Sequence, residues 1–122
     1  MIFQNAFLNI LTSKNRLVIK FGSPSDQSRI IKVGFVIDFD LNGNVLGIEI
    51  INLKYYAGGN VLEGIDPELF GSKAKVRISY DEDVDALYLS LSNGRSTDQI
   101  TVDGRVVLDE KGHLVAIEAD LT

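Results

Sequence analysis

The chain has 122 residues, 45% hydrophobic and 24% charged, which is the length and composition of one ordinary globular domain spanning 1–122. Seventeen acidic residues against twelve basic ones leave a net charge of −5, so generic nucleic-acid binding is not expected. There is no cysteine, which removes disulfides and thiol chemistry and fits a cytoplasmic location.

The opening Met1-Ile2-Phe3-Gln4-Asn5-Ala6-Phe7-Leu8 is apolar but has no basic start, and its run breaks at Asn9 and Thr12-Ser13-Lys14. It reads as a core strand and not as a signal peptide. No apolar run approaches the ~20 residues of a membrane span, so no membrane partner is expected. From there period-two alternation dominates. Leu17, Ile19 and Phe21 point one way, and strands are predicted near 5–11, 16–22, 29–33, 35–40 and 44–51. Asn42-Gly43 between apolar runs reads as a tight hairpin, with Gly supplying the positive φ.

Alternation fails over the linker 54–75, where Gly58-Gly59 and Gly64 appear. Asp66-Pro67-Glu68-Leu69-Phe70-Gly71 reads there as one short helical turn with an Asp cap, Pro first and Gly as the stop. Strands resume near 75–80, 86–92, 99–102, 105–109 and 113–119. Leu87, Leu89 and Leu91 alternate with Tyr88, Ser90 and Ser92. Asn93-Gly94, Asp103-Gly104 and Lys111-Gly112 read as further hairpin turns.

The two stretches resemble one another. Val36 to Glu49 aligns with Arg105 to Glu118 at a constant offset, since 112 − 43 and 118 − 49 both give 69. Repeats are therefore read at 6–53 and 76–121. A lone meander of this kind has one greasy face with nothing to cover it. The expected fold is mostly β: two homologous antiparallel β-meanders packed as a sandwich or flattened barrel, with the short helical turn in the linker.

Tyr80-Asp81-Glu82-Asp83-Val84-Asp85-Ala86-Leu87-Tyr88-Leu89-Ser90-Leu91, followed by Leu108 to Glu118, resembles a short prokaryotic family, domain of unknown function family 2283. Its members carry a tyrosine–aspartate start, a D-A-L-Y strand, an aspartate–glycine turn and a G-I-E-like strand. The resemblance is clear over Val76 to Leu121. It is weak over Ala6 to Leu53, which lacks the tyrosine–aspartate start and the D-A-L-Y run, so the first copy is degenerate. The family brings no activity. Its single-unit members often lie beside small toxin-like reading frames, which implies an antitoxin-like role with a protein partner.

Three acidic sets are weighed as sites. Asp38-x-Asp40-x-Asn42-Gly43-x5-Glu49 fits the EF-hand letter pattern. Its flanks read as strands, however, and a hairpin would carry Glu49 away from the turn at ~3.3 Å per residue; a plain turn is expected. Asp81, Asp83 and Asp85 offer oxygens of the kind that hold Mg²⁺ or Ca²⁺, but are read as a solvated, turn-capping loop. Glu49 and Glu118 are the acidic pair that both stretches keep, and would serve as acid and base only if adjacent.

His113, the sole histidine, has no triad setting around it and reads as a surface residue. Tyr55 and Tyr56 read either as a recognition patch or as side chains that pack the linker onto the sheet. No metal or cofactor is expected. The expected function is a non-catalytic binding or interaction module with a protein partner or self-association. The alternatives are a metal-dependent hydrolase using the acidic cluster and a structural subunit of a homo-oligomer.

Overall fold

The computed structural model describes residues 8–11, 16–21, 28–63, 65 and 77–121. Eight strands occur among them: β1 (Leu8–Leu11), β2 (Arg16–Lys20), β3 (Arg29–Phe39), β4 (Val45–Ile51), β5 (Arg77–Asp81), β6 (Ala86–Ser90), β7 (Asp98–Leu108) and β8 (Leu114–Asp120). One short helix, α1 (Leu53–Ala57), follows β4. The helical turn expected at 66–71 lies outside the described residues. No helix among the described residues is long and apolar enough to cross a membrane.

All eight strands form one antiparallel sheet in the order β1-β2-β8-β7-β3-β4-β6-β5, curled into a half-barrel. Two meanders packed face to face do not form. The reason lies in β3 and β7, which are eleven residues each and pair along their whole length, from Arg29 opposite Leu108 to Phe39 opposite Asp98. That ladder joins the two halves edge to edge, so the greasy surface is one concave face.

The strand order is symmetric. Exchanging β1–β4 for β5–β8 turns it into its own reverse. The exchange maps Gly34 onto Asp103, and these two stand opposite each other at the centre of the β3–β7 ladder. Both register shifts obey it too. One falls at Asp38/Phe39 and the other at Val107/Leu108, 69 residues on. Such bulges increase the local bend of a sheet, and here they bend it at equivalent places.

Each half has four strands among the described residues, and two predicted hairpins are absent. Asp103-Gly104 lies mid-strand in β7. Asn93-Gly94 belongs to the connection from β6 to β7, which are not neighbours in the sheet. Gly104 makes room in place of a turn, because the Phe35 ring fills the space that a side chain there would occupy.

Alternation sorts the residues by face as the period-two pattern requires. Leu17 and Ile19, Phe35 and Ile37, Ile48 and Ile50, Leu87 and Leu89, Val106 and Leu108, and Ile117 and Ala119 form the concave core. Leu53, Ala57 and Val61 complete it, from α1 and the turn after it. Leu53 and Ala57 are one helical turn apart and so share a face. The Leu114 N–H donates to the Val61 carbonyl at 2.8 Å and ties this segment to β8.

Candidate functional site

The best-organised polar cluster forms around α1. A five-residue helix has too few internal hydrogen bonds to persist alone, and its Asn52 N-cap supplies no side-chain bond. The donors are satisfied from thirty residues away. The Asp85 carboxylate accepts the Lys54 N–H at 2.8 Å on one oxygen and the Tyr55 N–H at 2.9 Å on the other. The Asp85 carbonyl accepts the Leu53 N–H at 3.3 Å. Asp85 reaches this position because it closes the β5–β6 turn in a left-handed conformation, φ 53°, which aspartate tolerates better than most residues.

Tyr80 completes the clamp. Its hydroxyl donates to the Asp85 carboxylate at 2.5 Å. The Lys54 ammonium sits 4.5 Å from the Tyr80 ring centroid and 3.6 Å from Glu82. Partial burial pushes the Asp85 carboxyl upward, but the hydrogen bonds from Tyr80, Lys54 and Tyr55 outweigh it and hold the group below the usual carboxylate range. Tyr80 moves the other way. Desolvation, then the Asp85 bond and charge, push its hydroxyl up to about 12.

The clamp fixes a helix that displays aromatic surface. Tyr55 is 79% exposed and Tyr56 53%. Their rings meet edge to face at 5.0 Å. Val84, next to Asp85, and Ile51, paired with Ala86, are also exposed. Apolar groups therefore surround a carboxylate whose oxygens are already engaged.

The acidic triplet does not converge. Asp81 accepts the Asp83 N–H at 2.9 Å, which is a local turn bond. Asp85 faces α1. Among the described residues no group of three or more His, Cys, Asp or Glu side chains is placed to hold a metal ion.

The EF-hand letters form a hairpin turn. One Asp40 oxygen accepts the N–H groups of Asn42 and Asn44, both at 2.9 Å, and Gly43 takes φ 83°. Asp109 repeats this, accepting the Lys111 and His113 N–H groups at 2.9 Å, with Gly112 also at φ 83°. Both carboxyls are held below their ordinary value, chiefly by the backbone donors of Asn44 and His113. Asp38, the first EF-hand letter, turns instead to Gln99 at 2.5 Å and Tyr88 at 3.4 Å.

Glu49 and Glu118 are not brought together. β3 and β7 lie between their strands, and the registers set the two glutamates four residues apart along the ladder, so they are about 14 Å apart across the strands and about 13 Å along them. Their surroundings also differ. Glu118 accepts from Arg105 at 2.7 Å and from Arg16 at 3.2 Å. The Arg105 bond is the main cause that lowers its carboxyl. Glu49 has Val36 in the place of Arg105 and Tyr88 opposite it on β6.

Sequence reasoning placed Tyr55, Tyr56 and Asp85 among its candidates but missed Tyr80 and Lys54, and it missed that Asp85 serves the tyrosines. The tyrosine–aspartate start and the aspartate of D-A-L-Y carried that signal, yet nothing local to them names α1 as their target. No curated protein and no solved structure matches the chain. Residues 77–119, which hold β5, β6, β7, all of β8 but its last residue, and both Tyr80 and Asp85, match the family described as "Protein of unknown function (DUF2283)".

Proposed function

We propose that this protein is a small non-catalytic interaction module of the cytoplasm, built from two tandem copies of one unit, the first degenerate, and that it meets a protein partner through Tyr55 and Tyr56. The observation that carries the reading is an aromatic pair left exposed on a helix whose backbone is pinned by a carboxylate. Tyrosines are enriched at contact hot spots because they offer a large apolar area with a polar tip. A surface fixed before contact loses less entropy on binding. Asp81, Asp83, Glu49 and Glu118 then serve turn and strand structure, not chemistry. The toxin-neighbouring habit of single-unit members of the family it resembles supports an antitoxin-like role for this module.

The test is affinity capture from the native host with the wild-type chain and with Tyr55→Ala/Tyr56→Ala, after circular dichroism has shown equal folding. The expected result is a partner at defined stoichiometry that the double variant fails to retain. Undiminished capture would remove this surface from consideration.

A further inference from the structure

A sheet curled into a half-barrel keeps two edges, and the strand order places β1 at one and β5 at the other. Among the described residues β5 pairs with β6 alone. An edge strand presents a row of N–H and C=O groups that a further strand can pair with. β5 reads Arg77-Ile78-Ser79-Tyr80-Asp81. Ile78 and Tyr80 stand opposite Leu89 and Leu87, so they lie on the concave face, and both are only partly buried against the core. Arg77, Ser79 and Asp81 lie on the opposite, convex face and are exposed. Neither Arg77 nor Asp81 has an ion-pair partner among the described residues.

Laid antiparallel against itself about Ser79, this strand is its own complement. Arg77 meets Asp81 at both ends, Ile78 meets Tyr80, and Ser79 meets Ser79 on the two-fold axis. Directly opposed residues bring their Cβ atoms to about 5 Å, where opposite charges attract and like charges repel. Charges on an edge strand ordinarily turn other strands away. Here their order admits one strand and refuses others. A parallel copy in register would set Arg77 against Arg77 and Asp81 against Asp81. The other edge, β1, carries no charge over Leu8–Leu11 and gives neither residue a counter-charge.

We propose that the β5 edge is a docking surface for the β5 edge of a second copy of this chain, paired antiparallel about Ser79, so that two half-barrels join into one continuous sheet. Ile78 of each copy then lies against Tyr80 of the other and extends the apolar concave face across the axis. The same patch serves both copies, as a closed two-fold interface requires. Tyr55 and Tyr56 contribute no pairing residue, so this inference and the proposed function stand or fall separately.

The chain has no cysteine, which allows a clean test. Ser79→Cys puts one thiol per chain on the proposed axis, where the Cα separation of about 4.5–5.5 Å across an antiparallel pair is within disulfide reach. Thr101→Cys, exposed on β7, is the control. Under mild oxidation the full-length Ser79→Cys chain is expected to become a covalent dimer about tenfold faster than the control or more, because the paired edges hold its thiols at high effective concentration. Sedimentation velocity over a range of concentrations reads the second arm. Arg77→Asp and Asp81→Arg should each weaken the dimer by about tenfold, since both end pairs become like-charged. An equal mixture of the two variants restores unlike charges at both ends and is expected to form a 1:1 dimer as tight as wild type. Circular dichroism checks folding first, because Asp81 also accepts the Asp83 N–H. Should Asp81→Arg fail to fold, the cross-linking comparison decides alone. If Ser79→Cys cross-links no faster than Thr101→Cys, or wild type stays monomeric at the highest soluble concentration, pairing through β5 is wrong. Association that the charge variants leave unchanged would overturn it too.

Discussion

The Tyr80 hydroxyl donates a 2.5 Å hydrogen bond to Asp85, the same carboxylate that holds the first turn of α1. One side chain therefore joins the β5–β6 turn, the concave face and the exposed tyrosines. Asp85→Gly removes the carboxylate while keeping a residue at ease with φ 53°. It is expected to lower stability by about 2 kcal/mol, since a charged acceptor of several hydrogen bonds is lost. The amides of Lys54 and Tyr55 should lose hydrogen-exchange protection more than those of β3 or β7. Asp85→Asn keeps the shape but not the charge, and should fall between the two. Equal protection of α1 in Asp85→Gly and wild type would break the link.

Tyr80 gives an alkaline signature. Its folded value, about 12, stands above the ordinary 10.0. A group raised on folding contributes stability that is complete below its unfolded value and lost as pH climbs through the folded one. The loss therefore falls between about 10 and 12. Subtracting the tyrosinate absorbance of Tyr80→Phe from that of wild type should isolate a step near 12, with α1 undocking in the same range. A step at 10 would place the Tyr80 hydroxyl in water and away from Asp85.

Acid should act on Glu118 and Asp85 in the opposite sense. Both are lowered on folding, Glu118 by Arg105 and Arg16, Asp85 by its three donors against the pull of burial. Lowered carboxyls contribute stability present above their unfolded values, here 4.5 and 3.8, and lost as pH falls through the folded ones. The urea midpoint is expected to hold down to about pH 5 and then drop. Glu118→Gln leaves Arg105 and Arg16 with a neutral acceptor and should lower neutral-pH stability by about 1–3 kcal/mol. It should also flatten the acid slope. An unchanged slope would assign the acid loss to other carboxylates.

The two hairpin turns offer a test of equivalence. Gly43 and Gly112 share φ 83°, and each follows an aspartate that accepts two backbone N–H groups. Nothing crowds the space where either Cβ would go, so the effect of alanine is conformational alone. Gly43→Ala and Gly112→Ala should each cost about 1 kcal/mol. The turns share no partners, so the double variant should cost the sum. Clearly unequal losses would show that the turns differ in more than sequence.

The period-two pattern reported which residues share a face, and the constant offset reported which turns are alike. Face and turn type are each set by a few adjacent residues, where sterics and Gly conformations decide. Neighbour choice lies elsewhere. Nothing in Leu17 or Ile19 states that β8 lies beside them, because any apolar strand edge offers the same donors and acceptors. Asp103-Gly104 carries the letters of a turn, yet its glycine answers to Phe35, whose position only the assembled seam defines. Asp85 announces itself as a turn residue, and that is half correct; its other half depends on α1, a helix too short to show a period.

On the convex face Gly47 and Tyr88 supply the remaining case. Gly47 pairs with Asp38 on one side and Ser90 on the other, and Tyr88 lies across it to reach Asp38. A Cβ on Gly47 would run into the Tyr88 hydroxyl and ring end, and would stand 3.0 Å from the Leu89 carbonyl. Aromatic cover of a strand glycine shields the bare backbone from water. Gly47→Ala must push Tyr88 aside, so it forfeits both the cover and the Asp38 contact. A loss of about 1–2 kcal/mol is expected. The Leu89 carbonyl is main chain and cannot yield as a side chain does, so part of the loss should persist when Tyr88 is absent. A double-mutant cycle separates the two contributions. Gly47→Ala made in a Tyr88→Ala chain should cost less than in wild type, yet more than nothing. Identical losses in both backgrounds would mean that Tyr88 does not rest on Gly47 in solution.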